Sequence, residues 1–377
     1  MSIIIYQVGG RDSNNEMENV LASVDYGRYL GSVRSLRMTL GKAAPAERLA
    51  MTCEFHMPEN LFSEIRPACR TVAERAVFVH LNRRRIVSYA EEIASASGLF
   101  PELDPRSHYL GHGEETAAFI LTLDAINFGS GYFPHLRKRP GMSGYRTVAT
   151  CLTEYFAANG PPTANELAAL TPADCARIFE QDLSNQVAAE LMQLFARALN
   201  DLGKYLAEKF HGSVMSLIKA AGASVEQLVG LLIHMPFFND VQMSNGMKVP
   251  FYKRAQLTAA DLTIAGWNES WGRFNDLERL TIYADNLVPH VLRVDGVLQY
   301  EESLASRIDA GELIPRDSIE EIEIRACAVH AVELLAETLR RMELGTNDMK
   351  LDYLLWNRGQ GARYKSVRRH RTRTVSY

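Results

Sequence analysis

The sequence predicts an all-α protein with few, short strands, and two observations carry that expectation. Helix-start signals of the Ser/Thr-x-x-acid/amide kind recur ahead of apolar-periodic segments. Sustained period-two alternation between turn residues is missing, apart from short candidates at Ser2–Tyr6 and Val291–Gln299. The first 60 or so residues are less periodic than the rest, and Asp12-Ser13-Asn14-Asn15-Glu16 reads as a loop or arm. Amphipathic runs with apolar residues three and four apart then cover about Glu114 to Asn127, Tyr145 to Ala158, Leu183 to Phe210, Val225 to Ile233, Leu277 to Leu292 and Ile319 to Leu344. Start signals stand at Thr163-Ala-Asn-Glu166, Thr171-Pro-Ala-Asp174, Ser224-Val-Glu-Gln227, Thr258-Ala-Ala-Asp261 and Ser318-Ile-Glu-Glu321, with Pro172 at the favoured first helical position. Gly-, Pro- or Asn-rich loops are expected at 129–140, 160–162 and 357–361.

With 377 residues, 47% hydrophobic and 23% charged, the chain has the composition of a soluble globular protein. A net charge of −4 argues against a protein whose main work is coating nucleic acid, which needs clustered cations; no stable nucleic-acid partner is expected. The five cysteines are scattered without a CxxC pair, which suggests neither a disulfide framework nor a zinc site and fits a reducing cytoplasm. No apolar run approaches the length of a membrane span.

Asp285 is the most informative single residue. It lies in Tyr283-Ala284-Asp285-Asn286-Leu287-Val288-Pro289, just off the apolar stripe of a helix that Pro289 is expected to break. A carboxylate beside an aromatic at such a break is a candidate catalytic site; the plainer reading is a Pro-kinked core helix with a solvated Asp. In Phe251-Tyr252-Lys253-Arg254, aromatics precede cations suited to a planar ring and a phosphate, or simply start a helix with snorkelling cations. Phe238 and Asp240 form a second aromatic–acid cluster, for which Asp240 as a loop cap is the plainer role. Asp352 and Trp356 fall one helical turn apart, an acid beside a π-surface suited to a base with a cationic substituent, or a surface helix with a half-buried Trp. His108 and His112 beside Glu114 and Glu115 are too loose a pattern to name a metal site. The basic stretch 363–377 reads as an arm or nucleic-acid contact, or as an ordered strap bringing Arg and Thr donors to a phosphate.

Taken in order, these residues resemble the queuosine salvage proteins, the queuosine 5′-phosphate N-glycosylases, from about Phe62 to Tyr377. The resemblance rests on Val72-Ala73-Glu74-Arg75 with Val77-Phe78-Val79, His108 before an acidic helix, Leu123-Asp124-Ala125-Ile126-Asn127-Phe128, and Val249-x-Phe251-Tyr252-Lys253-Arg254-Ala255-Gln256. It continues through Tyr283-Ala284-Asp285 with Val288-Pro289, Glu321-x-Glu323-Ile324-Arg325, Asp352-x-x-Leu355-Trp356 and His370-Arg371-Thr372-Arg373. It implies a salvage domain at 62–377 behind an extension at 1–61, and a helical fold related to the helix-hairpin-helix DNA glycosylases. The implied reaction is hydrolysis of queuosine 5′-phosphate to queuine and ribose 5-phosphate, without metal or cofactor. Asp285 takes the catalytic carboxylate position, Tyr283 the base-pocket aromatic, and His108 and Asp352 the base contacts. A further contact position, an acid in some relatives, is Asn357 here, and Gly129-Ser130-Gly131 replaces bulkier residues.

The chemistry agrees. Breaking an N-glycosidic bond develops positive charge on the ribose, which a fixed carboxylate such as Asp285 stabilises or captures covalently. A 7-deazaguanine base lacks the nitrogen that acids usually protonate, so His108 or Asp240 is expected to assist its departure. Asp352 suits the secondary ammonium of queuine, Tyr283 and Trp356 suit its packing, and Lys253, Arg254, Arg371 and Arg373 suit the 5′-phosphate. Two rival classes share these residues. A DNA glycosylase needs a basic duplex-binding face that the net charge opposes. A non-catalytic nucleotide-binding module keeps the aromatics and cations without needing Asp285.

Overall fold

The structure is a computed structural model that describes residues 60–377; the Ser2–Tyr6 strand candidate, the 12–16 loop and Cys53 lie outside the described residues. Helix α1 (Leu61–Arg75) leads through β1 (Val79–Leu81) into α2 (Arg83–Ser97), followed by α3 (Glu114–Ala125), α4 (Gly144–Asn159), α5 (Ala164–Ala169) and α6 (Pro172–Ile178). The long α7 (Gln186–Phe210) precedes α8 (Val214–Ala220), α9 (Val225–Leu232), the hairpin β2 (Val241–Ser244) and β3 (Met247–Pro250), and α10 (Lys253–Ala265). Then come α11 (Val288–Val294), β4 (Leu298–Tyr300), α12 (Glu302–Ala310), α13 (Ile319–Arg341), α14 (Asp348–Arg358) and α15 (Ala362–Lys365). The strands make two antiparallel pairs, β1 with β4 and β2 with β3.

Several helix starts follow directly from their side chains. Thr163 and Thr171 each form a reciprocal capping box, satisfying N–H groups that the first turn leaves unpaired. The hydroxyls of Ser224 and Ser318 accept the N–H of Gln227 and Glu321. The fifth expected start does not form: Thr258 and Asp261 lie inside α10, where the Thr258 hydroxyl donates back to the Arg254 carbonyl.

The centre of the molecule is α13, whose 23 residues are buried on nearly every face and which packs against α1, α2 and α14. Its buried charges are partnered: Glu323 accepts the N–H groups of Val77, Phe78 and Val79, and Arg325 pairs with Asp240.

The region expected as a helix from Leu277 to Leu292 is built differently. A short 3-10 turn at Leu277–Arg279 gives way to an irregular segment, and the helix begins only at Val288, with Pro289 in its first turn. Pro289 therefore starts a helix rather than breaking one, as its fixed φ and missing N–H favour. Side chains replace the helical ladder upstream: the N–H of Thr281 goes to the Gln256 amide oxygen at 2.8 Å and that of Tyr283 to Asp352 at 2.9 Å. The strand candidate at 291–299 likewise shrinks to β4, because Val291–Val294 complete α11.

Candidate active site

A cavity of about 740 Å³ opens where α10, the 280–287 segment, α11, α14 and the basic stretch at 365–371 converge, with Tyr145 of α4 on its wall. Because the 280–287 backbone is anchored sideways by Gln256 and Asp352, Tyr283 and Asp285 are both presented to it.

Asp285 is half-buried, and its Oδ1 accepts the N–H groups of Leu287 (2.7 Å) and Val288 (3.1 Å) at the start of α11. Those donors fix the orientation of the carboxylate. Its Oδ2 takes no hydrogen bond among the described residues. The backbone carbonyl just before it, that of Ala284, accepts from Arg325 Nε at 2.9 Å.

Asp285 has two kinds of neighbour in the cavity, since its charge acts on both Asp352 and Arg369. Asp352 is buried, its Oδ1 taken by the Tyr283 N–H. Burial first, and then the neighbouring Asp285 charge, push its carboxyl well above the usual carboxylate range, against the Tyr283 N–H and Lys253. The ring of Tyr283 meets Tyr353 edge-on at 6.2 Å, and Trp356 meets Tyr145 edge-on at 6.0 Å, so the walls here are aromatic. Asn357 is exposed and lines the cavity beside them. Arg368, Arg369 and Arg371 line it as well. Arg369 makes no side-chain hydrogen bond among the described residues; burial lowers its pKa while Asp285 raises it. Arg371 donates to the Gly311 carbonyl at 3.4 Å.

Lys253 stands among the carboxylates. Its buried ammonium donates to the Asn127 carbonyl at 3.1 Å; burial lowers its pKa, and Asp285 and then Asp124 pull it back up. His108 also lines the cavity, with Nδ1 against the Asp104 carbonyl at 2.9 Å and Nε2 against the Tyr145 hydroxyl at 3.0 Å. A carbonyl can only accept, so Nδ1 carries the proton; burial lowers the pKa, leaving a neutral ring whose Nε2 accepts from Tyr145. His108 therefore has no proton on Nε2 to offer a leaving group. His112 stacks on Tyr109 at 3.8 Å, and no grouping of His, Cys, Asp and Glu able to hold a metal occurs among the described residues.

Four of the residues expected at the substrate lie outside the cavity lining. Asp240 is sealed in a bidentate pair with Arg325 (3.0 and 2.5 Å), and it also accepts the N–H of Lys253 at 3.2 Å. It fixes both the start of α10 and, through Arg325, the carbonyl before Asp285. Arg254 donates to the carbonyls of Ala125 (2.6 Å) and Val375 (2.8 Å) over the rings of Phe128 and Phe238, which tethers the basic stretch. Phe238 is consumed in that stack, and Arg373 lies 5.5 Å over Tyr132. Reasoning from sequence missed Asp261, Tyr145 and Arg369, all in the lining. Asp261 carried a signal, an acid on one helical face with Arg254 and Thr258 in an otherwise apolar segment, but its resemblance to a capping box masked it.

Comparison with known proteins agrees in extent. The family model described as queuosine salvage protein matches residues 107–377. A queuosine 5′-phosphate N-glycosylase/hydrolase of Sphaerobacter thermophilus is 35% identical over 313 residues, covering 82% of this chain and 96% of that protein. Proteins of the same name from Mus musculus and Dictyostelium discoideum are 29% and 30% identical, covering 83% and 79% of this chain and 98% and 89% of their own. On this match, which takes in most of the cavity lining, from Ser107 to Tyr377, the chain belongs to the queuosine salvage protein family.

Proposed function

We infer that this protein is an N-glycosidase that hydrolyses queuosine 5′-phosphate, releasing queuine and ribose 5-phosphate for reuse of the base in tRNA modification. One observation carries the reading beyond kinship: a carboxylate with one oxygen locked by helix N–H groups and the other free acts on both the buried acid Asp352 and the guanidinium of Arg369 within one aromatic-lined cavity. Those neighbours suit a nucleotide with its base at Asp352, its C1′ at Asp285 and its phosphate on the arginines.

In this reading Asp285 stabilises or captures the cationic ribosyl centre as the C1′–N bond lengthens. Tyr283, Tyr353 and Trp356 flank the base, and His108 and Asn357 contact its edges. Asp352, whose carboxyl burial pushes up and whose Oδ1 the Tyr283 N–H holds, is the partner for the secondary ammonium of the base. Arg369 and Arg371, with Lys253, receive the 5′-phosphate. Arg254 and Arg373 hold the basic stretch in place, and Asp240 and Phe238 support from behind.

The partners are small molecules, with no stable nucleic-acid partner, and the kinship to helix-hairpin-helix DNA glycosylases belongs to the same proposal. Cytoplasmic residence is supported by four buried free cysteines and the lack of any helix long and apolar enough to cross a membrane, both among the described residues.

The test is incubation with queuosine 5′-phosphate and with its dephosphorylated nucleoside, following free base by mass spectrometry. The reading expects release from both, with kcat/KM about 10²-fold lower without phosphate, as loss of charge-assisted hydrogen bonds implies. No release from either contradicts it.

A further inference from the structure

Base departure lacks an acid in this account, since His108 offers only an acceptor at Nε2 and Asp240 is sealed against Arg325. Asp261 lies in the cavity wall, 2% exposed, on the buried helix α10. Its Oδ1 accepts the Tyr353 hydroxyl, while its Oδ2 takes no hydrogen bond among the described residues and is not sealed in by protein atoms.

The surrounding charges decide which carboxyl keeps a proton. Asp124 of α3, Asp261 of α10, Asp285 before α11 and Asp352 of α14 share the Lys253 ammonium, and the charges of Asp124 and Asp352 disfavour ionisation of Asp261. Asp285 has two N–H donors and Arg369 beside it. Asp352 has the Tyr283 N–H, and Asp124 has the Asn127 amide and the Arg254 charge. Asp261 has a phenol, with Tyr145 of α4 and Tyr283 as its other titratable neighbours. It is the carboxyl worst provided for as an anion. Burial and the charges of Asp124 and Asp352 accordingly push its pKa well above the carboxylate range.

We propose that Asp261 is the general acid for the leaving base, donating from Oδ2 to a ring nitrogen or carbonyl of the departing heterocycle. The proposal rests on the glycosidase reading above. The C1′–N bond breaks with its electron pair going to the base. The Asp261 O–H bond breaks with its pair staying on the carboxylate and its proton going to the base. Water forms the new C1′–O bond, and the proton it loses restores Asp261. A heterocycle without the imidazole nitrogen that acids usually protonate still has these acceptors, and a neutral buried carboxylic acid is a competent donor.

The experiment compares wild type and Asp261→Asn on queuosine 5′-phosphate and on 4-nitrophenyl β-ribofuranoside 5-phosphate, whose phenolate departs without protonation. We expect kcat to fall at least about 10²-fold on the nucleotide and less than about 10-fold on the nitrophenyl substrate. The wild-type rate should decline as pH rises through the Asp261 pKa, and that decline should vanish in the variant. Equal losses on both substrates, or no loss on the nucleotide, overturn the proposal while leaving the glycosidase reading standing. A wild type inert toward the nucleotide overturns both. Tyr353→Phe guards against misfolding of the first variant: losing the phenol that favours the carboxylate moves the basic limb to higher pH, and an unmoved limb overturns the assignment.

Discussion

Arg325 and Asp240 show how a residue far from the substrate sets the chemistry. Both are buried, they neutralise one another, and the guanidinium gives its Nε–H to the Ala284 carbonyl, one peptide from Asp285. Asp240→Asn leaves a buried cation without its counter-ion, and the expected cost is about 3–5 kcal/mol of stability, read by chemical denaturation, with slower base release. If Asp240 contacted substrate instead, stability would hold and KM alone would rise. That Asp285, Tyr283 and Asp352 line one cavity was legible because their motifs are local. Asp240 was not, because its partner lies 85 positions away and an acid beside aromatics looks the same whether it faces a ligand or an arginine. Asp261 was hidden for a related reason, since Thr258-Ala-Ala-Asp261 has the spacing of a cap that tertiary burial overrides.

Among the elements, the helices with long apolar stripes were legible nearly to their ends: α4, α7, α9 and α13 begin and stop within a few residues of the apolar-periodic runs. The 280–287 segment was not, because its apolar spacing mimics a helix while Gln256 and Asp352, from two other helices, take its N–H groups. The basic stretch was legible only in part. Its ordering comes from alternation, with His370, Thr372 and Thr374 buried and Arg371 and Arg373 between them half-buried, and from the Ile314 N–H donating to the Arg371 carbonyl at 2.9 Å. Gly131 permits that course: a Cβ there would stand 2.2 Å from the Thr372 carbonyl oxygen. Gly131→Ala is therefore expected to displace the stretch and raise KM for the phosphorylated substrate about 10-fold or more, while turnover of the nucleoside changes little. Comparing kcat/KM for the two substrates measures this, and equal effects on both would separate the stretch from phosphate recognition.

For the molecule as a whole, the all-α class was legible from caps and periodicity, and the family from ordered motifs; what no local pattern could show is that the site is assembled from residues 102–377. The central helix α13 brings this about, because its charges hold the loop after α1, the loop before β2 and the backbone at Asp285 in one frame. The net charge of −4 thus conceals a cavity that gathers both buried carboxyls and arginines, and in our account Asp285 works among them. The most direct test is single-turnover release of queuine from queuosine 5′-phosphate by Asp285→Asn, with binding of the intact nucleotide measured by calorimetry. The account predicts release slowed roughly 10³-fold or more with the dissociation constant changed less than about 10-fold. Release at the wild-type rate, or binding lost together with release, would contradict it.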